Sequence, residues 1–436
     1  MHPAIGAALT AALALLASYI VPWAARYPAL LGTSRVWQPD PQFATLRDRC
    51  TALHPAELTG CEKFKIVGDT LFAACVADWD VRRSWFPAMR AFDRSIGGRP
   101  GPIRDRVYKV DLKTKELTRL AMANFPDTTD FCAHGMDVIE VAPGEFSLFL
   151  VNHRRDSSVV ENFKYTAGAQ EIIHTATFNG TTLGLYNPND IFAVPISDDS
   201  PARENAFFVT NDHWFRDSVL GRQLELQLRL PTGSVYYHSE STGYHRVISG
   251  VVNANGIAGF QSSQPGAPPS RNTLFVAAIL DGTVTAYNYN PNPQTILTKN
   301  GLTKLKTFTL DLIMDNLSIS PDDKWLYMAG HGEPSKLPEH WAAPDVVASA
   351  SVAYRVSLTE LGGHFGTRGE TGDSRVEKVV VDREGVFGNG STTAVGDDER
   401  NKFWLSGLSF KGILECDLRV PRGADVDADV DYDEDD

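Results

Sequence analysis

The stretch "LDLIMDNLSISPDDKWLYMAG", Leu310 to Gly330, reads as a strand, a turn and a second strand. Apolar residues lead in, Pro321-Asp322-Asp323-Lys324 turns the chain, and Trp325-Leu326-Tyr327-Met328-Ala329 leads out. Asp315-Asn316 interrupts the apolar lead-in. A charge in a buried strand costs roughly several kcal/mol unless it is paired or binds a metal.

The same grammar recurs. "KFKIVGDTLFAAC" (63–75), "MDVIEVAPGEFSLFLVNH" (136–153), "NTLFVAAILDGTVTAYNYN" (272–290) and "NKFWLSGLSFKGILECDL" (401–418) are each strand, turn, strand. Helix signals are scarce after residue 50, so the chain is all-β. The recurrence length of about 60 residues suits four-stranded propeller blades. Residues 45–420 then hold six blades, preferred over a sandwich because no linker divides them.

Polar pairs recur with the blades. Asn189-Asp190 lies in "GLYNPNDIFAVPI", Asn255 in "VVNANGIAGF", and Glu62 just before an alternating strand in "LTGCEKFKIV". Positions 62, 189, 255 and 315 are separated by 127, 66 and 60 residues, or two, one and one blades. Equivalent blade positions converge on a propeller axis. Glu62, Asn189, Asn255, Asp315 and Asn316 therefore form an all-oxygen set suited to calcium, with two carboxylates to balance its charge. His134 in "FCAHGMDVIEV" and His153 in "FLVNHRRDSS" can reach one end of a hairpin, where one imidazole would activate water and the other tune it. His213 and His331 are further candidates. No GxSxG elbow is present.

The net charge of −13 argues against nucleic acid as a partner. Eight acids sit in the tail "DVDADVDYDEDD" (425–436), within a segment 423–436 expected to be solvated and disordered. Ala4–Ala25 carries no charge and is near the length that spans a bilayer. Residues 1–28 are expected to be a signal-anchor helix, or else a cleaved signal that leaves the protein secreted. Arg26 and Arg35 would keep the domain cytosolic. A Cys50–Cys416 bridge, closing a ring, and the sequons at Asn179 and Asn389 favour the secretory lumen or the exterior. Asn316 also opens a formal sequon, which burial would block.

"GCEKFKIV", "AHGMDV", "VNHRRDSSVVENFKY", "NPNDIFAV", "FFVTNDHWF", "NANGIAGF", "LDLIMDNLSISPDD" and "ILECDL" together resemble the paraoxonase/arylesterase family, in order, from about residue 45 to 418. The resemblance implies a six-bladed propeller that hydrolyses lactones and aryl esters at a central calcium. It implies Glu62, Asn189, Asn255, Asp315 and Asn316 as ligands, His134 and His153 as a histidine dyad, and Cys50–Cys416 as the ring-closing disulfide. Glu62 is a second candidate for the base in this scheme. A second, structural calcium in the family matches Lys63, Asp190 and the carbonyl of Met136 here. Lys63 puts a cation where the family has an acid, so its ammonium is expected to take the ion's place beside Asp190. Segments near 76–100 and 333–350 would form the lid. Other classes to weigh are a non-enzymatic calcium-stabilised scaffold and a propeller of the gluconolactonase or strictosidine-synthase-like type.

Overall fold

The computed structural model describes residues 46–194, 205–260, 272–310, 312–358, 376–385 and 388–418, with 27–33 and isolated positions before them. Most of the apolar N-terminal stretch and the whole acidic tail lie outside the described residues. Among the described residues no helix is long and apolar enough to cross a membrane.

Each strand–turn–strand unit of the sequence is half of a four-stranded antiparallel blade. Blade 1 runs Lys63–Val67, Thr70–Cys75, Arg106–Asp111, Leu117–Ala123, and blade 2 Ala133–Ala142, Glu145–His153, Ser158–Thr166, Glu171–Phe178. Blades 3, 4 and 5 begin with Pro188–Ala193, Ala254–Gly259 and Ile313–Ile319. Blade 6 takes Ser391–Asp397, Lys402–Gly407 and Ile413–Asp417 from the end of the fold, then Cys50–Leu53 from its start. The first strand of every blade touches the first strands of both neighbours, closing a ring of six. The outer strands of blades 1 and 2 also pair in parallel, Glu171 opposite Ala121, which covers two edges that would otherwise be open.

The core is six apolar layers, one at each blade–blade contact. Trp404 and Phe64 meet between blades 6 and 1, and Met314 and Phe275 between blades 5 and 4. A seventh cluster, around Trp85, Phe86 and Trp341, lies outside the ring. Most of its residues come from excursions between the second and third strands of blades 1 and 5, with Cys132 and Leu408 added from the ring below. A third such excursion, from blade 3, carries the helix Val219–Gln227. In an antiparallel blade those connections share a face with the starts of the innermost strands, so all three sit above the same end of the axis.

Cys50 and Cys416 are register partners in blade 6 and form a disulfide, as the sequence led one to expect. A second disulfide, Cys61–Cys75, was not expected. It clips the open end of the first hairpin of blade 1, where Lys63 pairs with Ala74. Cys132 is a buried free thiol. Asn179 is exposed at the end of a strand, whereas the Asn389 amide is half-buried. It accepts from Ser349 N and donates to the Pro344 carbonyl.

Peptide mapping without reduction should recover Cys50–Cys416 and Cys61–Cys75, with Cys132 as a thiol. Cys416→Ser should cost about 2–5 kcal/mol in denaturant unfolding. An unchanged midpoint would mean that strand pairing alone holds the ring closed.

Candidate metal centre and histidine pair

Asp315-Asn316 sits on the innermost strand of blade 5, and there the ladder to the next strand slips. Met314 pairs with Gly330 and Leu317 with Met328, leaving two residues against one. Blades 2, 3, 4 and 6 slip at the matching place, across His134, Asn189-Asp190, Asn255 and Thr392. A bulge of this kind bends the strand and re-aims side chains. In blades 2 to 6 the polar residues that break the apolar pattern are thus the bulged ones, at the start of the axial strand, whereas Glu62 immediately precedes the unbulged axial strand of blade 1. Neighbouring bulges pack backbone to backbone. A Cβ on Gly135 would lie 2.3 Å from the Asn189 carbonyl, and one on Gly256 2.3 Å from the Asp315 carbonyl.

All five expected ligands are buried. Asn316 Nδ2 donates to Glu62 Oε1 and to Thr393 Oγ1. Thr392 and Thr393 both donate to the Glu62 carbonyl, so blade 6 pins the residue that opens blade 1. The Cys61–Cys75 disulfide holds the same residue from the other side. Burial, with Asp315 and Asp190 close by, raises the Glu62 carboxyl well above the usual carboxylate range. Four buried oxygens, Glu62 Oε2, Asn189 Oδ1, Asn255 Oδ1 and Asn316 Oδ1, have no hydrogen-bond partner. Each orphaned acceptor costs about 1–3 kcal/mol. A hard cation would satisfy all four, and this donor set fits one. His331 Nε2 lies 3.1 Å from Asp315 Oδ2 and fixes that carboxylate. Among the described residues no three His, Cys, Asp or Glu side chains cluster at metal-binding spacing. The set has two carboxylates and is otherwise made of amides.

Asp190 faces elsewhere. Its carboxylate forms a buried ion pair with the Lys63 ammonium and accepts from the amides of Ile191 and Ile257, each at 2.9 Å. Lys63 Nζ also donates to the Leu317 carbonyl at 3.2 Å. The Met136 side chain lies in the apolar layer between blades 1 and 2. A tethered monovalent cation already serves Asp190, and the residues there do not fit a second calcium.

His134 and His153 are both buried and joined, Nδ1 to Nε2, at 3.0 Å. His153 Nδ1 is 2.9 Å from Ser158 Oγ, and His134 Nε2 is 3.9 Å from Glu62 Oε1. Burial and the charges of Arg82, Lys63 and Arg222 pull the His134 imidazole down to about 3. Burial and the neighbouring His134 hold His153 well below its ordinary value. Phe86 packs edge-on against both rings, at 4.9 and 5.9 Å, and Trp341 stacks on Phe86. The Trp85 indole donates to the His153 carbonyl at 2.7 Å. The helix Trp79–Ser84 is anchored by Arg82, which pairs with Asp105 and donates to the Ala133 carbonyl. The segments expected as a lid therefore cover the dyad. The blade 3 excursion was missed, as were Thr392, Thr393, Arg82 and Asp105. His213, weighed from sequence, is held between Glu225 and Asn253 in that excursion.

Lys63→Met should strand the Asp190 charge and cost about 3–5 kcal/mol. Metal analysis of the dialysed wild-type chain should find one calcium, and two retained ions would show that Lys63 does not replace one. The histidines give a pH signature. From pH ~6.5 down towards 3 the unfolded chain binds protons that buried neutral imidazoles refuse. Stability therefore falls as the pH falls, by about 1.4 kcal/mol per unit for His134, and His153 acts in the same direction. His134→Gln should flatten this slope between pH 7 and 5, and equal slopes would mean that His134 titrates normally.

The Arylesterase family model matches residues 84–360. Serum paraoxonase/arylesterase 2 of Homo sapiens is 30% identical over 254 residues, covering 58% of this chain and 62% of that protein. Serum paraoxonase/arylesterase 1 of Rattus norvegicus is 29% identical over 246 residues, covering 55% and 60%. The match spans about three fifths of the length of these curated relatives. Among solved structures, a luciferin-regenerating enzyme aligns with a TM-score of 0.46 at 11% identity, covering 84% of this chain and 94% of that one. Regucalcin from Agrobacterium tumefaciens aligns with a TM-score of 0.41 at 11% identity, covering 84% and 92%. With the family match covering well over half of its length, this chain belongs to the arylesterase family.

Proposed function

We propose that the protein is a calcium-dependent hydrolase of carboxylic esters, lactones or aryl esters, with its site on the propeller axis. The observation that carries this is the set of four unpartnered buried oxygens beside a buried, neutral histidine pair. Glu62, Asn189, Asn255, Asp315 and Asn316 would hold the calcium. Bound there, it would supply Lewis-acid polarisation of the substrate carbonyl and a counter-charge for the oxyanion.

The proton chemistry belongs to the protein. In one arrangement of the dyad, His153 Nδ1–H donates to Ser158 Oγ and His134 Nδ1–H donates to His153 Nε2. That leaves a lone pair on His134 Nε2, on the side of Glu62. His134 takes a proton from water there, the resulting hydroxide attacks the carbonyl carbon, and the C–O bond to the leaving alcohol breaks. The proton on His134 then goes to the departing oxygen. His153 shares the positive charge through the Nδ1–Nε2 contact. The aromatic cap of Phe86 and Trp341 excludes bulk water. Glu62, whose carboxyl is raised, is the next candidate for the base.

Two disulfides suit an oxidising compartment. The domain would then work in the secretory lumen or outside the cell, with Ala4–Ala25 as its membrane tether.

Chelation should abolish hydrolysis of phenyl acetate and of a simple lactone, and calcium should restore it better than magnesium. Asp315→Ala should lose most bound calcium. His134→Gln should lower kcat about 10²–10⁴-fold with calcium retained. Full wild-type activity in excess chelator would end the calcium reading.

A further inference from the structure

The helix Val219–Gln227 is amphipathic in the wrong sense for its position. Val219, Leu220 and Leu224 face solvent, while Gly221, Arg222 and Glu225 are buried. Gly221 lets the helix close onto Phe215, whose ring would meet a Cβ there at 2.4 Å.

Glu225 is fully used. It meets His213 at 3.0 Å and accepts from Trp214 N at 2.7 Å and Thr232 Oγ1 at 2.6 Å. Arg222 is not. Its Nε donates to the Phe215 carbonyl at 2.7 Å and its Nη2 to the Arg216 carbonyl at 3.2 Å. Its Nη1 is buried with no partner, although the residue is 0% exposed. Among the described residues no carboxylate comes within ion-pair distance of it, and Asp212, Glu225 and Asp217 offset its charge only from further away. The contrast is Arg82, the other buried arginine of the cap, which has Asp105. A guanidinium cannot shed its proton, so an unpaired one inside a protein is costly.

The position of Arg222 suggests what would pair with it. The guanidinium lies over the Phe92 ring, 5.6 Å from its centroid. Phe92 closes the short hairpin that opens with Trp85 and Phe86, and Phe86 packs on both dyad rings. Arg90 of that hairpin donates to Gln223, next to Arg222, at 2.6 Å. The positive charge of Arg222 is also among those that depress His134 and His153. Arg222 is thus a fixed cation with one unpartnered nitrogen, stacked on Phe92 of the hairpin whose Phe86 packs on the dyad.

We propose that Arg222 determines specificity by binding a carboxylate carried by the substrate, so that the preferred esters or lactones have a second, ionised carboxyl group. This rests on the hydrolase reading above. A single guanidinium charge matches a monoanion, and the Phe92 ring beside it suits the carbon skeleton between the carboxylate and the scissile bond.

Two matched pairs of esters test this. 4-Acetoxybenzoate against phenyl acetate places the carboxylate on the leaving group, and monophenyl adipate against phenyl hexanoate places it on the acyl side. In at least one pair the anionic ester should have the higher kcat/KM, by about 10-fold or more and mainly through KM. Arg222→Gln should lower kcat/KM for that ester at least 10-fold more than for its neutral partner. Arg222→Lys should keep part of the preference.

A wild-type preference for the neutral ester in both pairs would overturn the proposal. So would an equal loss on all four esters in Arg222→Gln, which would make Arg222 a general structural or oxyanion contact. If Arg222→Gln does not fold, inhibition of the wild type decides: adipate or 4-hydroxybenzoate should compete with phenyl acetate, and cyclohexanol should not. If the wild type hydrolyses none of the esters, the hydrolase reading falls on its own. The Arg222 proposal is then decided by melting temperature, which adipate or 4-hydroxybenzoate should raise in the wild type, less in Arg222→Lys and not in Arg222→Gln; no rise in the wild type would overturn it.

Discussion

Three buried carboxylates, Glu62, Asp190 and Asp315, stand close enough on the propeller axis for Glu62 to feel both of the others. Like charges held in a medium of low dielectric repel strongly, and none can escape to water. Lys63 answers one of them, from within the first axial strand. The two that remain equal the charge of one divalent cation, and the unpartnered amide oxygens around them supply neutral donors for it. Much of the local architecture serves this balance: the bulges that aim the donors inward, the threonines of blade 6 on the Glu62 backbone, and His331 on Asp315.

The dyad lives under the opposite influence. Arg82 and Arg222 act on both of two imidazoles that are cut off from solvent, joined by Lys63 at His134 and Arg216 at His153, and both stay neutral. A neutral imidazole beside carboxylates is available to accept a proton. The same cations would penalise the imidazolium once formed, which favours prompt transfer onward to the departing group.

Much of this was legible in the sequence because it follows period and spacing. The hairpins declared themselves through alternation and turn residues, and the polar interruptions at positions 62, 189, 255 and 315 fell at blade intervals. What stayed hidden depends on partners far apart in the chain. Thr392 and Thr393 are unremarkable in a strand, and only ring closure brings them to Glu62. Cys61 and Cys75 flank one hairpin, and only its antiparallel register brings them together. The helix 219–227 carries a Ser218 cap and a usable periodicity. Its apolar face points outward, however, so pattern alone would have buried the wrong side. The bulges have no sequence mark beyond the polar pairs themselves.

Blade 6 has an implication for synthesis. Its outer strand, Cys50–Leu53, emerges first, and the three strands it completes emerge last. Blades 1 to 5 can form in order as the chain is made, each against the one before. Throughout that time the first strand lacks its hydrogen-bonding partners and must avoid pairing with another chain. When the last blade arrives, Thr392 and Thr393 reach the Glu62 backbone in the same movement that joins Ile413–Asp417 to Cys50–Leu53. A chain stalled before residue 391 would therefore carry most of the donor oxygens and both histidines, yet lack the contacts that set Glu62 in place. The oldest and youngest parts of the polypeptide must meet before the centre is complete, so a truncated product is silenced by its own geometry.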